Sequence, residues 1–243
     1  MVAKAGWSKN FYRAGFDVSL PLPPVLEVSK LSAGWERWAQ DPTRSPRFFA
    51  TFKGRASSQV RRSLLRLHDP RRGVVVQNSA NFELPYYDYL ELLQETQFAF
   101  CPRGNGLASF RLAEAVLAGA IPVIIADGAV LPFEELVDWR SMAVVIGEAD
   151  VPLVLDILRA VPFDEILRLR CRLYLFAKPF MGLEAGVEQT LELLRSRIRG
   201  VGGKGGDSAD LNAFVHASAW EEAKRSGPDS AKQGVCAATR DRW

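Results

Sequence analysis

Between residues 96 and 133 the sequence TQFAFCPRGNGLASFRLAEAVLAGAIPVIIADGAVLPF leaves few folds open, because it reads strand, glycine-rich loop, helix, strand and turn in immediate succession. Residues 98–101 are an apolar run of strand length, and the loop at 102–108 carries Arg103, Gly104 and Gly106. A helix is predicted to open near Ser109. Leu112, Ala115, Val116 and Gly119 recur at i, i+3, i+4 and i+7 on one face, and Gly119 is placed to end it. Residues 121–125 are the next buried strand. A tight glycine loop between a strand and a helix N-terminus exposes backbone N–H groups beside the positive end of the helix dipole, which suits a phosphate. Arg111 is a cation in the first helical turn, where the dipole disfavours it by about 0.3–1 kcal/mol, so it points to an anionic guest. Glu114, three residues on, offers acceptors to sugar hydroxyls. The same two residues also fit an i, i+3 surface ion pair beside an ordinary turn, and local chemistry leaves both open.

The rest of the chain repeats the alternation. Strands are predicted at residues 47–52, 74–77 and 143–146, and helices at 59–67, 86–96 (with Tyr86, Leu90 and Leu93 inward) and 151–160. The spacing gives an α/β fold, a Rossmann-like parallel sheet flanked by helices. Ligands of such sheets lie beyond the carboxyl ends of the strands, where the exit at Lys53, Gly54 and Arg55 and the loop from Arg103 to Ser109 converge. Residues 1–46, with Pro21, Pro23 and Pro24, read as an extended lead-in or linker that includes a short helix at 31–40. Residues 47–199 form the Rossmann-like unit, largely helical from 163 with a break near Lys178, Pro179 and Gly182. From Gly200 the composition turns to glycine and small polar residues, so 200–243 is expected to be a flexible tail.

Composition removes several function classes. A formal charge of +3 on 243 residues argues against a general nucleic-acid or membrane-surface binder. Cys101, Cys171 and Cys236 are too few and too scattered for a disulfide framework, and His68 and His216 supply no zinc set. No segment has a signal-peptide core or the roughly 18 apolar residues of a membrane span. The chain is expected to be a piece of a longer protein. Trp35, Trp38 and Trp139 read as packing residues, and Arg168, Arg170 and Arg172 as a solvated helix face. Of Arg61 and Arg62, one is expected to face the phosphate site and the other solvent.

Several separated blocks together resemble the exostosin family of glycosyltransferases. These are FDVSLPL at 16–22, FKG at 52–54, FCPRGNGLASFRLAEAVLAGAIPVII at 100–125, LPFEELVDW at 131–139, the pair Gly147 and Glu148, and EQTLELLRSRI at 188–198. The resemblance runs from about residue 11 to 199. It implies a GT-B architecture of two Rossmann-like domains, of which this chain is similar to the C-terminal, donor-binding half. It places the diphosphate of a nucleotide-sugar donor, UDP being expected, against Arg103, Gly104, Gly106, Ser109 and Arg111. Lys53, Arg55 and Arg61 approach from the first strand's exit, and Glu114 holds ribose or sugar hydroxyls. The implied reaction is sugar transfer to a glycan hydroxyl with inversion. No D-x-D triplet occurs, so neither a cofactor nor a metal at the site is expected. The implied companions are a glycan or glycoprotein acceptor and a partner glycosyltransferase, in the Golgi, with no nucleic acid. No general base is assigned: Asp127 and Glu134 lie near the right turn, and each also fits a plain loop or helix-start carboxylate.

Two other readings stay open. Gly104, Gly106 and Ser109 after a strand, with Asp127 at the end of the next, approximate a dinucleotide-binding fingerprint, although serine replaces the third glycine and the motif follows the third strand. A donor-binding half-domain that transfers nothing itself, or supports an active transferase, is the second.

Overall fold

The computed structural model describes residues 2–81, 85–181 and 183–201. Three two-residue strands come first, β1 (Ala3–Lys4), β2 (Trp7–Ser8) and β3 (Val18–Ser19), then helices α1 (Val28–Leu31) and α2 (Ala33–Gln40). The alternation follows as β4 (Phe48–Gly54), α3 (Gln59–Leu65), β5 (Val74–Asn78), α4 (Tyr89–Gln94), β6 (Thr96–Pro102), α5 (Phe110–Ala118) and β7 (Ile121–Ile125). Last come β8 (Ala129–Val130), β9 (Val144–Val145), α6 (Val154–Arg159), α7 (Phe163–Met181) and α8 (Leu183–Val201).

Five strands form one sheet in the order β5-β4-β6-β7-β9, every neighbouring pair parallel. The first strand of the sheet is thus internal: the chain goes to β5 on one side of β4 and returns to β6 on the other. That reversal between β4 and β6 is where a doubly wound sheet leaves a crevice at its carboxyl edge. The pairings Ala50 with Phe98 and Phe100 with Val123 bring like faces together. One face (Ala50, Phe52, Phe98, Phe100, Ile121, Val123, Ile125) packs on Val60 and Leu64 of α3 and Val154 and Leu158 of α6. The other (Ala99, Cys101, Ile124) packs on Val116 of α5, Trp35 of α2 and Phe176 of α7. Helices therefore cover both faces, as the alternation predicts.

Residues 2–46 are part of this assembly. β1 pairs parallel with β3, β2 pairs antiparallel with β8, and Trp7, Val18, Leu31, Trp35 and Trp38 are buried. The helix α2 lies so close to the end of α5 that a Cβ on Gly34 would stand 1.8 Å from the Ala118 carbonyl oxygen. Trp35 Nε1 donates to the Val116 carbonyl at 3.0 Å beside it. Gly119 takes φ 83° and closes α5, a left-handed cap that a Cβ opposes. From the last described helix, Arg197 of α8 donates to the Asp17 carbonyl at 3.0 Å and pairs with Glu135.

Several elements depart from the sequence expectation. Helix α4 begins three residues later than predicted because the Asp88 side chain accepts the Glu91 amide at 2.9 Å and caps it there. Tyr86 consequently lies outside the helix, 60% exposed rather than inward, and Thr96 already belongs to β6. The helix expected at 151–160 opens as a 3-10 turn, Glu148–Leu153, since Pro152 has no amide to donate. The strand expected at 143–146 is registered with β7 at Val144 and Val145, and the Ile146 amide donates to the Ile124 carbonyl at 3.0 Å. Arg170 is 5% exposed inside the fold, not on a solvated face. Cys101 is a buried free thiol. The break expected near Lys178, Pro179 and Gly182 falls between α7 and α8, at a position outside the described residues, as does the expected tail beyond Val201.

Candidate functional site

The crevice between β4 and β6 is lined by cations. Arg111, in the first turn of α5, reaches back to β4, where Nη2 donates to the Lys53 carbonyl. Its guanidinium carbon lies 4.6 Å from the Phe52 ring centroid and 4.8 Å from that of Tyr89. The residue is 8% exposed and pairs with no carboxylate among the described residues. A buried guanidinium held by two ring faces and one carbonyl keeps donors for an anion.

Arg61 comes from the first turn of α3, whose N-cap Ser58 accepts the Arg61 amide at 3.3 Å and donates its hydroxyl to the Arg103 carbonyl at 3.0 Å. The Arg61 guanidinium donates to three carbonyls: Arg103 at 3.1 Å, Arg55 at 3.1 Å and Pro102 at 3.4 Å. It therefore ties the loop after β4 to the loop after β6. Burial, and then the neighbouring Arg111 charge, push its pKa below the ordinary arginine value. Two cations that disfavour each other in a crevice make a positive potential that an anion relieves.

The glycine loop contributes backbone. Arg103 N–H is used by the Ile125 carbonyl at 2.9 Å, and Gly104 N–H by that of Gly106 at 3.1 Å. The amides of residues 106–109 meet no acceptor among the described residues, and the Ser109 side chain, at the N-cap, caps none of the helix amides. Free amides beside a helix N-terminus are an anion-binding surface.

The other expected residues lie around this centre. Lys53 Nζ donates to the Tyr87 carbonyl and sits 3.7 Å from the Tyr86 ring centroid. The Arg55 side chain is exposed, and the Arg55 carbonyl accepts from Arg61. The Arg103 guanidinium turns away from Arg111, donating from Nε to Glu148 Oε1 at 2.6 Å, and that carboxylate holds its pKa up. Glu148 Oε1 also accepts the Asp127 amide at 3.1 Å, and Asp127 Oδ1 accepts the Glu148 amide at 3.2 Å. Glu114, only 3% exposed, accepts the Val25 amide at 3.2 Å and the Tyr89 hydroxyl. Glu134 accepts the Leu131 amide at 2.7 Å in the turn.

The structure thus brings together Arg111, Arg61, Lys53, Gly104, Gly106 and Ser109, sets Arg103 to one side with Glu148, and places Glu114 behind Tyr89. Tyr89, Ser58 and Glu148 were not assigned roles from sequence. Ser58 carried a signal, an N-cap residue ahead of the α3 pattern. Tyr89 carried none, because the helix was drawn from Tyr86. Burial raises the Tyr89 phenol well above its ordinary pKa, with Arg111 opposing and Glu114 adding to the shift. Burial likewise pushes the Cys101 thiol up to about 12, leaving it inert below the crevice. Among the described residues no group of three or more His, Cys, Asp or Glu side chains is gathered as metal ligands.

The chain is similar to known proteins along most of its length. The Exostosin GT47 domain family matches residues 1–161. Exostosin-1 of Drosophila melanogaster is 32% identical over 220 residues, covering 82% of this chain and 29% of that protein. Exostosin-1a of Danio rerio is 30% identical over 223 residues, and Exostosin-1 of Bos taurus 31% over 223 residues, each covering 82% of the chain and 30% of the relative. The chain spans less than a third of the length of the curated relatives it matches.

Proposed function

Because the chain belongs to the exostosin GT47 family, we propose that it is the donor-binding, C-terminal half of a GT-B glycosyltransferase, taking a sugar from a nucleoside diphosphate to a glycan hydroxyl with inversion. The observation that carries this reading is Arg111: a buried cation that meets no carboxylate among the described residues, at the sheet's switch point, beside the amides of residues 106–109, which meet no acceptor among those residues.

In this proposal the diphosphate lies across the α5 N-terminus. As the glycosidic bond to the donor breaks, negative charge accumulates on the departing diphosphate, and donors already fixed in place stabilise it without reorganising. Arg111 supplies the planar fork and the loop supplies the amides. Arg61 acts one step back, holding the two loops in register and adding positive potential. Glu114, aligned by Tyr89 and Val25, is assigned to ribose or sugar hydroxyls, and Lys53, Arg55 and Arg103 to the rim. Inversion needs a base at the attacking hydroxyl. Asp127 and Glu134 are both committed to backbone amides, so neither receives that role. UDP is the proposed leaving group, a glycan or glycoprotein the acceptor, a second glycosyltransferase the partner, and the Golgi lumen the location. No described helix is long and apolar enough to cross a membrane.

A second reading, donor binding without transfer by this chain itself, rests on its covering only 29% of Drosophila melanogaster Exostosin-1. A thermal-shift titration with UDP, UDP-sugars and NAD, without metal and then with manganese, tests the donor site. A ligand at a hundred times its Kd adds about 2.7 kcal/mol, or roughly 5–10 °C for a domain this size. Stabilisation by UDP supports the reading; a response to NAD alone sinks it. Sugar transfer by the purified chain separates the first reading from the second.

A further inference from the structure

The side chain of Arg111 starts on one face of the sheet and ends against the other. Helix α5 packs on the face that carries Ala99, Cys101 and Ile124, whereas Phe52 belongs to the opposite face with Val60 and Leu64 of α3. Arg111 therefore passes over the carboxyl end of β4 to bring its guanidinium carbon to 4.6 Å from the Phe52 ring centroid. Gly54, the last residue of β4 and two on from Phe52, stands on the same face of the strand and beside this path. A Cβ there would meet Arg111 Nη2 at 3.1 Å and Phe52 Cζ at 3.1 Å, inside the roughly 3.5 Å of an ordinary contact. Gly54 is not among the glycines with positive φ, so its backbone admits any residue. What a side chain at 54 would disturb is the guanidinium and the ring.

The second cation follows the same plan. Arg61 comes from α3, its guanidinium carbon lies 5.5 Å from the centroid of the same Phe52 ring, and a Cβ on Gly104 would stand 3.2 Å from its Nη2. Phe52 is wholly buried, so its ring is fixed by the packing around it and serves both cations as a rigid stop. A ring face attracts a cation without taking up an N–H donor, as a carboxylate would, and it does not compete with a phosphate for the charge.

We propose that Phe52 and Gly54 are positioning residues of the anion site: the ring holds the Arg111 guanidinium in place of a carboxylate, and the absence of a side chain at 54 lets it arrive there. This rests on the donor reading above and assigns that site two residues which act through Arg111 rather than on the donor itself. The exit of β4 thereby sets the place of a cation that the chain supplies from α5, more than fifty residues later.

The test uses the whole 243-residue chain with UDP and uridine as probes. Gly54→Ala should weaken the calorimetric UDP dissociation constant about tenfold, the misalignment of one charge-assisted hydrogen bond, in a protein that still unfolds cooperatively. Uridine, which lacks the phosphates, should bind Gly54→Ala as it binds the parent. Phe52→Leu keeps an apolar side chain, removes the ring, and should weaken UDP by a similar factor. A spectroscopic signature separates positioning from packing: the Arg111 Nε–H resonance, assigned by its loss from Arg111→Met, lies upfield in the ring currents of Phe52 and Tyr89 and moves downfield in Phe52→Leu. Should Phe52→Leu not fold, Gly54→Ala decides. A parent that ignores UDP refutes the donor reading and this role with it. A parent that binds UDP leaves that reading standing, and the positioning role alone is overturned if Gly54→Ala binds UDP as tightly, if it loses UDP and uridine equally, or if the Arg111 resonance does not move in Phe52→Leu.

Discussion

Replacing Arg111 by Met separates binding from folding in a way the geometry specifies. In the free protein the guanidinium gains from two ring faces, about 0.5–1 kcal/mol each, and from one hydrogen bond to the Lys53 carbonyl. Against this stands the cost of a cation buried to 8% exposure with no carboxylate among the described residues, a term of the same size and opposite sign. Met keeps the length and apolar contact of the side chain and removes both terms. The free variant should therefore melt within about 2 kcal/mol of the parent, less than roughly 8 °C. Binding behaves otherwise, because truncating one partner of a buried, charge-assisted contact costs about 2–5 kcal/mol, or roughly 30- to 5000-fold in Kd. At a UDP concentration giving the parent a shift of about 5–10 °C, Arg111→Met should show under about 3 °C. Differential scanning fluorimetry across a UDP series, with calorimetric titration of both proteins, reads the two quantities. An undiminished UDP shift in a well-folded Arg111→Met would refute the contact, and a collapse of the free variant would show the guanidinium to be structural.

Arg61→Met removes the guanidinium donor of the Arg55 and Pro102 carbonyls and leaves the Arg103 carbonyl to Ser58 alone, and should cost about 1–3 kcal/mol in urea unfolding. Gly34→Ala forces a Cβ to within 1.8 Å of the Ala118 carbonyl oxygen, so α2 and α5 must part; the expected loss is about 3 kcal/mol or more, measured by thermal melting. Asp17 is covered by the exposed Arg13 side chain, whose hydrogen bond holds the carboxyl well below the usual carboxylate range. A lowered folded-state pKa means that its stabilisation is fully present above about pH 4 and fades as pH falls below it. Melting curves from pH 6 down to pH 2 should therefore show less acid sensitivity in Asp17→Asn than in the parent, and parallel curves would remove Asp17 from the account.

What the sequence discloses follows from what each feature depends on. The strand at residues 121–125 was legible because five consecutive apolar residues between Ala120 and Ala126 fit only a strand buried on both faces, and β7 has those bounds. Gly119 announced its own left-handed cap. The start of α4 was misplaced because Tyr86 continues the apolar pattern while Asp88, two residues on, supplies the cap that decides. Burial of α5 is wider than its one periodic face, since α2, α4 and α7 as well as the sheet pack on it, and such tertiary neighbours leave no local pattern. The work of Arg61 was hidden for a different reason: its acceptors are backbone carbonyls, which every residue has. Arg170 sits between Leu169 and Cys171, both buried, and an arginine at such a position reads as a surface residue until its neighbours are placed.

The clasp between Arg197 and the carbonyl of Asp17 spans 180 residues of chain. Synthesis proceeds from the amino end at about 5–20 residues per second, so roughly 10–40 s separate the making of the arm from the making of its anchor. During that interval β1 and β3 have each other, but the helix that fastens them has not yet been made. The nascent chain thus carries residues 2–19 without this clasp while the central sheet assembles behind them, and α8, the last of the described helices to emerge, is the one that closes it.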